Sequence, residues 1–547
     1  MVKRIITFFS RDVSGVHEAA YLLGFFAILS QIIAFFRDRL LASNFGAGQT
    51  LDLYYAAFRI PDFIFVAVAS IVSFSVLVPF LVDALGKSKE EGNRFVNNVF
   101  SFFALLMLIT SVIAFFLIPY LAPIVFPGIK DSALPLFIHM TRILLLSPII
   151  LGISNFLASI TQVYKKFYIY ALSPVLYNIG IMFGIIVLYP IFGLSGLAWG
   201  VVAGAILHVA PQVALVIKLR LLPRLNFRII WLDIWNIVRL SIPRTITLGV
   251  AQFATLALVG YASLMHEGSI SVFNFSLNVQ GVPLAIIGAS YATAAFPTLS
   301  RLFSTGQRDK MSAYIVNASK HIIFWSLPLS VLFIVLRAQV VRTILGAGAF
   351  TWTATRLTAA TLAILALCVA AQSLVLLFVR AHYAIGNTFK PLIAGIVGGL
   401  SSIGFAFLFV YIWNVVPTFH YFIESLFRVE DIPGTEVLML ALGYSLGMII
   451  NCVILWVQFH REFVGFSKAL FSTLFESLGA SVIMGSVTYV ALNFFNKIFS
   501  LDTLVGVFLQ GLCAGVVGII VGVGIFYLLK NEELAQIWKT LHGKIWK

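Results

Sequence analysis

The sequence predicts an all-α protein that crosses a membrane about fourteen times, as two six-helix lobes followed by two further helices. Of its 547 residues, 61% are hydrophobic and only 10% are charged, with a mean hydropathy of +1.02. A soluble domain carries roughly 25% charged residues. Many apolar runs reach the ~20 residues that span a bilayer as a helix. Their unbroken apolar character excludes a transmembrane β-barrel, whose strands alternate apolar and polar side chains.

Fourteen apolar segments are the predicted spans. They run approximately over 19–42, 54–82, 96–122, 135–162, 168–190, 193–218, 236–264, 270–300, 318–345, 356–382, 390–415, 435–459, 470–494 and 503–529. Residues 1–18 carry Lys3, Arg4 and Arg11 among isoleucines and phenylalanines, which predicts an amphipathic helix on the cytoplasmic face. The first apolar run ends in charges rather than in a small-residue cleavage site, so no signal peptide is expected.

The basic residues fall mostly in alternate loops and predict the orientation. With the N-terminus inside, the inner loops and the tail carry most of them, whereas the outer loops hold only Lys130, Arg342, Arg356, Arg428 and Lys497. Basic loops face the cytoplasm. We therefore expect a plasma-membrane protein with both termini cytoplasmic. The net charge of +15 is explained by topology, so no nucleic-acid partner is expected.

Proline pairs at nearly one offset indicate a repeat. Val78-Pro79 and Phe296-Pro297 are 218 residues apart, and Pro174 and Pro391 are 217 apart. An even number of spans per copy would relate two lobes by an axis along the membrane normal, with the solute site between them. The alternative is that prolines simply recur near helix ends. The repeat predicts a first lobe over 19–218, a cytoplasmic linker over 219–235, a second lobe over 236–460, two extra helices over 461–530 and a cytoplasmic tail over 531–547.

Small residues and the absence of catalytic motifs complete this view. Gly196-x3-Gly200-x3-Gly204 and Gly518-x3-Gly522 are typical of closely packed helices. The histidines and three cysteines show no metal-ligand or catalytic spacing, and FGAG at 45–48 lacks the Lys-Ser/Thr of a phosphate loop. FGAG is predicted to be a tight turn. We expect no enzyme activity, no cofactor and no metal.

A charged cluster between the first two spans is the candidate site. It comprises Arg37, Asp38, Arg39, Asp52, Arg59 and Asp62. Ionisable groups at membrane depth usually pair or line a wet cavity. Two interpretations stay open: a polar cavity for a charged solute, or charges at a helix end and a loop that touch lipid headgroups. Carboxylates are absent from 132–232 and from 310–423. Arginine suits phosphate because its planar fork donates two hydrogen bonds, so the balance favours an anionic cargo.

These residues resemble a known family. Arg37-Asp38, FGAG at 45–48, Asp52, AFRIP at 57–61 and Val78-Pro79 are similar to the opening signature of the lipid II flippase family, MurJ/MviN. This family belongs to the multidrug/oligosaccharidyl-lipid/polysaccharide exporter superfamily. The resemblance implies translocation of an undecaprenyl-diphosphate-linked peptidoglycan precursor across the bacterial plasma membrane by alternating access. It also implies a lipid-tail groove in 461–530. Its structural motif residues are Phe45, Gly46, Gly48, Pro61 and Pro79.

The resemblance also assigns substrate-binding residues. Arg37 would contact the diphosphate beside Asp38, and Asp52 and Arg59 match the acidic and basic positions at the second helix. Arg244 would replace one lost arginine. The partners are then a lipid-linked glycan precursor and membrane lipids, and we expect a monomer.

The sequence departs from the family pattern at several charged positions. Uncharged residues replace them at Gln31, Phe65, Val66, Ser70, Leu277, Asn278 and Gly281. Three alternatives therefore stay open. One is a flippase for another lipid-linked glycan, and one is an ion-coupled exporter of small amphipathic compounds that uses Asp38, Asp52 or Asp62. The third is a non-transporting scaffold.

Overall fold

The computed structural model describes residues 16–71, 74–164, 166–226, 228–463 and 466–545, and within these ranges it is helical without any strand. Most of the predicted amphipathic segment 1–18 lies outside them. The chain divides into two compact units, Met1–Ile270 and Ser271–Lys547. The seventh predicted span thus packs within the first unit. The lobe boundaries drawn from the repeat stay a prediction.

Within the described residues, the first unit contains ten α-helices and the start of an eleventh. They are α1 (Val16–Phe45), α2 (Gln49–Ala69), α3 (Phe74–Lys87), α4 (Lys89–Val125), α5 (Leu134–Leu144), α6 (Leu146–Val163), α7 (Phe167–Phe183), α8 (Tyr189–Phe192), α9 (Leu194–Lys218) and α10 (Trp231–Ala262). A π-helical turn, Gly184–Leu188, joins α7 to α8. Phe103 and Phe156 stack in the core of this unit.

The described part of the second unit contains twelve α-helices, with a π-helical turn, Leu284–Ala289, between the first two. They are α11 (Ser269–Pro283), α12 (Ser290–Ser304), α13 (Arg308–Val335), α14 (Arg337–Leu345), α15 (Trp352–Ala366), α16 (Val369–Ala384), α17 (Phe389–Val415), α18 (Pro417–Phe427), α19 (Val437–Glu462), α20 (Phe466–Phe495), α21 (Leu504–Leu528) and α22 (Glu532–Ile545). Phe378, Phe459 and Phe466 pack in its core. The predicted tail forms α22, whose Leu534 and Ile537 pack against Phe526.

Helix length and apolarity confirm a polytopic membrane protein. Among the described residues, 11 helices are long and apolar enough to cross a bilayer, or 12 if α15 and α16 form one span bent by 46°. The predicted count of fourteen is not reached by this measure. The two further predicted spans fall on α1 and on α2 with α3. Helices α1 and α2 carry the charged cluster, and residues 72 and 73, which separate α2 from α3, lie outside the described ranges.

Glycines let α7 and α9 approach closely. A β-carbon built on Gly200 would lie 2.4 Å from the Cα of Gly184, and one on Gly204 would lie 2.5 Å from the Tyr177 carbonyl oxygen. Gly518 is also close to α20. A β-carbon built on Gly518 would lie 1.9 Å from Thr488 Oγ1. These contacts confirm the packing role predicted for the spaced glycines.

The connection between α9 and α10 is anchored on α4. The N–H of Arg224 donates to Asn97 Oδ1 at 2.8 Å, that of Asn226 to Ser101 Oγ at 2.7 Å, and that of Ile230 to Asn98 Oδ1 at 2.8 Å. Helix α4 has 37 residues, or about 55 Å at 1.5 Å per residue. Since the hydrocarbon core is about 30 Å thick, such a helix extends well beyond it.

Candidate functional site

The FGAG segment forms the turn between α1 and α2, as predicted. Gly46 has a φ of +64°, a left-handed conformation that glycine adopts without steric penalty. Its N–H donates to the Ala42 carbonyl at 2.8 Å, which closes the end of α1. Phe45 packs edge-on against Tyr189 with ring centroids 4.7 Å apart. Gly48 is the residue that precedes α2, and its backbone is extended.

Arg37 and Asp38 form an ion pair that reaches across to α7. Arg37 Nη2 and Nε donate to Asp38 Oδ1 at 2.7 and 2.9 Å, and Arg37 Nη1 donates to Asn178 Oδ1 at 2.8 Å. The Arg37 side chain is 20% exposed and that of Asp38 only 4%. The pair therefore lies largely inside the first unit. Asn178 is itself oriented by a hydrogen bond from its Nδ2 to the Pro174 carbonyl at 3.0 Å.

Helix α2 brings a second pair of charges near the first. Arg59 and Asp62, three residues apart on this helix, interact electrostatically. The phenols of Tyr54 and Tyr55 lie near the Arg37 guanidinium. Pro61, between the two charges, is buried within α2. Charged and hydroxyl groups from α1, α2 and α7 are thus gathered inside the first unit, an arrangement that can bind an anion at the guanidinium groups.

Asp52 contributes to a different part of the unit. Its Oδ2 accepts a 2.6 Å hydrogen bond from the N–H of Gly268, in the loop between α10 and α11. Glu267 lies in the same loop. Its Oε1 accepts a 2.6 Å hydrogen bond from Lys130 Nζ, and this bond lowers the pKa of Glu267 below its usual range. These groups line a cavity of about 110 Å³. Asp52 therefore anchors this loop at the N-terminal end of α2.

The structure does not describe the side chains of two further predicted residues. Arg244 lies in α10 and Pro79 in α3, and the structure describes only their backbone. Asn178 is a partner that the sequence alone did not indicate. A polar amide in an otherwise apolar stretch is the only signal it carries. Within the described ranges no group of three His, Cys, Asp or Glu residues could hold a metal ion.

Comparison with protein families identifies the chain. The model of the family described as "Lipid II flippase MurJ" matches residues 41–509. A probable lipid II flippase MurJ of Buchnera aphidicola subsp. Schizaphis graminum is 26% identical over 336 residues, 60% of this chain and 65% of the relative. A probable lipid II flippase MurJ of Bdellovibrio bacteriovorus is 27% identical over 408 residues, which are 71% of this chain and 77% of the relative. The match thus spans just under two thirds of the Buchnera relative.

Solved structures share the fold. A structure titled "Lipid II flippase MurJ, inward closed conformation" superposes with a TM-score of 0.73 and 24% identity, covering 93% of this chain and all of the other. An inward-facing multidrug resistance MATE family transporter of the MOP superfamily gives a TM-score of 0.64 at 17% identity, covering 80% and 96%. With most of its length matched by the family model, the chain belongs to the lipid II flippase MurJ family.

Proposed function

We propose that this protein is a lipid II flippase, which moves the polyprenyl-diphosphate-linked peptidoglycan precursor across the bacterial plasma membrane by alternating access. The family match over residues 41–509 carries this proposal. The partly buried Arg37 supports it, because its guanidinium offers the planar fork that binds phosphate oxygens.

Arg37 is proposed to exchange partners during transport. In the present state two of its nitrogens bind Asp38 and the third binds Asn178. A diphosphate could replace the Asp38 carboxylate, and Asn178 would keep the guanidinium oriented. Arg59 and Arg244 are proposed to add positive charge to the diphosphate site. Asp52 is proposed to hold the N-terminal end of α2 in place. The helices of 461–530 would receive the lipid tail.

The remaining features of the proposal follow from composition and family. The protein would act as a transporter rather than an enzyme, without a cofactor, and as a monomer among membrane lipids. Both termini would face the cytoplasm, because the basic residues concentrate in the loops on that side.

Complementation of a bacterial strain depleted of its own lipid II flippase tests the proposal. Wild-type protein should restore growth, whereas Arg37→Ala should not and should leave the precursor in the inner leaflet. Loss of a charge-assisted hydrogen bond costs about 1.5–3 kcal/mol, so transport should fall roughly 10- to 100-fold. Arg142→Ala is the matched control. Its guanidinium binds the Phe115 carbonyl at 3.1 Å and lies 4.4 Å over the Phe115 ring, so growth should be unaffected.

Two results would contradict the proposal. Full rescue by Arg37→Ala at normal expression would show that transport does not need the Arg37 guanidinium. Failure of well-expressed wild-type protein would point to another cargo.

A further inference from the structure

Two arginines of the second unit meet at the end where α13, α18 and α20 finish. Arg337 begins α14, directly after α13, and Arg428 follows the last residue of α18. Arg337 lies against the ring of Phe427, the residue before Arg428, so the two like charges are neighbours and repel each other. By the predicted topology this is the outer end of the unit, where basic residues are scarce.

In the described part of the chain, the hydrogen bonds of these two side chains go to neutral groups. Arg337 Nη1 donates to the Ile334 carbonyl at 2.9 Å, and its Cζ lies 6.0 Å from the centroid of the Phe427 ring. Arg428 Nη2 donates to Tyr489 Oη at 3.5 Å. Within the described ranges neither forms an ion pair with a carboxylate. Asp431, the nearby acid, is held by Arg356 through two bonds of 2.8 and 2.9 Å, which lower its pKa. Among the described residues, these two neighbouring like charges therefore have no carboxylate as a counter-ion.

The backbone that presents Arg428 is fixed in place. Its φ is +59°, in the left-handed region that a non-glycine residue seldom occupies. The Arg428 carbonyl accepts a hydrogen bond from Arg356, the same side chain that holds Asp431. Val429 and Ile432 are buried beside it. A left-handed residue is a common way to end a helix, and here it fixes the point from which the Arg428 side chain projects.

Apolar side chains close in sequence to Arg428 and Tyr489 are exposed. Phe422 and Leu426 on α18 are 61% and 57% exposed, and Val490 on α20 is 66% exposed. Such surface beside two arginines suits a ligand with both a negative headgroup and acyl chains. A free phosphate ion would leave this apolar surface unused.

We propose that Arg337 and Arg428, with the Tyr489 hydroxyl, bind the phosphodiester of an anionic glycerophospholipid in the outer leaflet, and that α18 packs against its acyl chains. The phosphate oxygens would accept hydrogen bonds from both guanidinium groups and remove their mutual repulsion. The site is separate from Arg37 and does not depend on which cargo the protein moves.

Native mass spectrometry of the full-length protein with phosphatidylglycerol or phosphatidylcholine tests this site. Wild-type protein should retain phosphatidylglycerol preferentially. Arg428→Asn should reduce that retention about fivefold, because one basic residue near an anionic surface contributes about 1 kcal/mol, and Arg337→Gln should act similarly. Asparagine tolerates left-handed backbone, so Arg428→Asn should fold normally. A melting temperature equal to that of the wild type checks this.

Arg142→Gln is the matched control, since Arg142 also lies over a phenylalanine ring and binds a carbonyl but lacks a second arginine. It should retain phosphatidylglycerol fully. Unchanged retention in the Arg337→Gln/Arg428→Asn double variant would overturn the proposal, as would equal loss in Arg142→Gln. Displacement of the lipid by millimolar inorganic phosphate would show a site for a free anion instead.

Discussion

At the residue scale, Asp52 connects two distant parts of the chain through a backbone group. Its carboxylate binds the Gly268 N–H at 2.6 Å. Gly268 has a φ of +98°, and a β-carbon there would lie 2.6 Å from the Ala47 carbonyl oxygen. Glycine at position 268 therefore lets the loop come close to the FGAG turn, and Asp52 holds it there.

Asp52→Ala should destabilise the protein, because it leaves this N–H without its acceptor. The free energy of unfolding should fall by about 1–3 kcal/mol. Asp52→Asn keeps an acceptor oxygen, so its melting temperature should stay near that of the wild type. Thermal melts in one detergent compare the three proteins. If Asp52→Asn melts normally but cannot complement, the charge rather than the hydrogen bond matters.

The residues of the candidate site differ in how far sequence could predict them. Arg37 and Asp38 were found because charge is rare in apolar segments and therefore conspicuous. Asn178, 141 residues away from Arg37, has no charge to mark it. The Arg337–Arg428 pair was missed for a different reason: one residue was assigned to a span and the other to a loop, and only folding brings them together.

At the element scale, tertiary contacts decide where helices bend. The sequence predicted one continuous span over 356–382, but the helix breaks between α15 and α16 by 46°. No proline or glycine marks the break. Carbonyls near it find partners elsewhere, since Gln280 Nε2 donates to Leu365 O at 2.8 Å and Ser445 Oγ to Ile364 O at 3.1 Å. Such long-range hydrogen bonds are invisible to local patterns.

Close helix packing, in contrast, was predictable from glycine spacing and gives a testable difference. Gly200→Val should destabilise the protein by about 1–3 kcal/mol, because an overpacked contact must push the α7 and α9 backbones apart. Gly249→Ala is the control, since a β-carbon on Gly249 in α10 would meet nothing within 4 Å. It should melt at or above the wild-type temperature. Equal melting of both variants would contradict the packing role.

At the scale of the whole molecule, hydrophobic length sufficed to predict the class of fold. The division into units was harder, because the seventh span packs with the helices before it although the repeat assigns it to the later ones. Packing reflects which apolar faces meet, and this depends on contacts between segments that are distant in the sequence.

The orientation of the whole chain can be checked by cysteine labelling. In a protein with its three cysteines replaced, an impermeant maleimide added to intact cells should label Asp131→Cys and not Ser88→Cys. Both positions are exposed at loops, on the predicted outer and inner sides respectively. Ser88→Cys should react only after permeabilisation. The reverse pattern would place the termini outside.

The anchoring of Arg224, Asn226 and Ile230 on α4 bears on how this family can vary in length. Surface connections normally absorb insertions and deletions, because little depends on their number of residues. Here three backbone N–H groups donate to three side-chain acceptors on α4. One added residue would move every later N–H group away from its acceptor. Insertions and deletions among relatives should therefore be rare in this connection and should accumulate in loops that lack such hydrogen bonds.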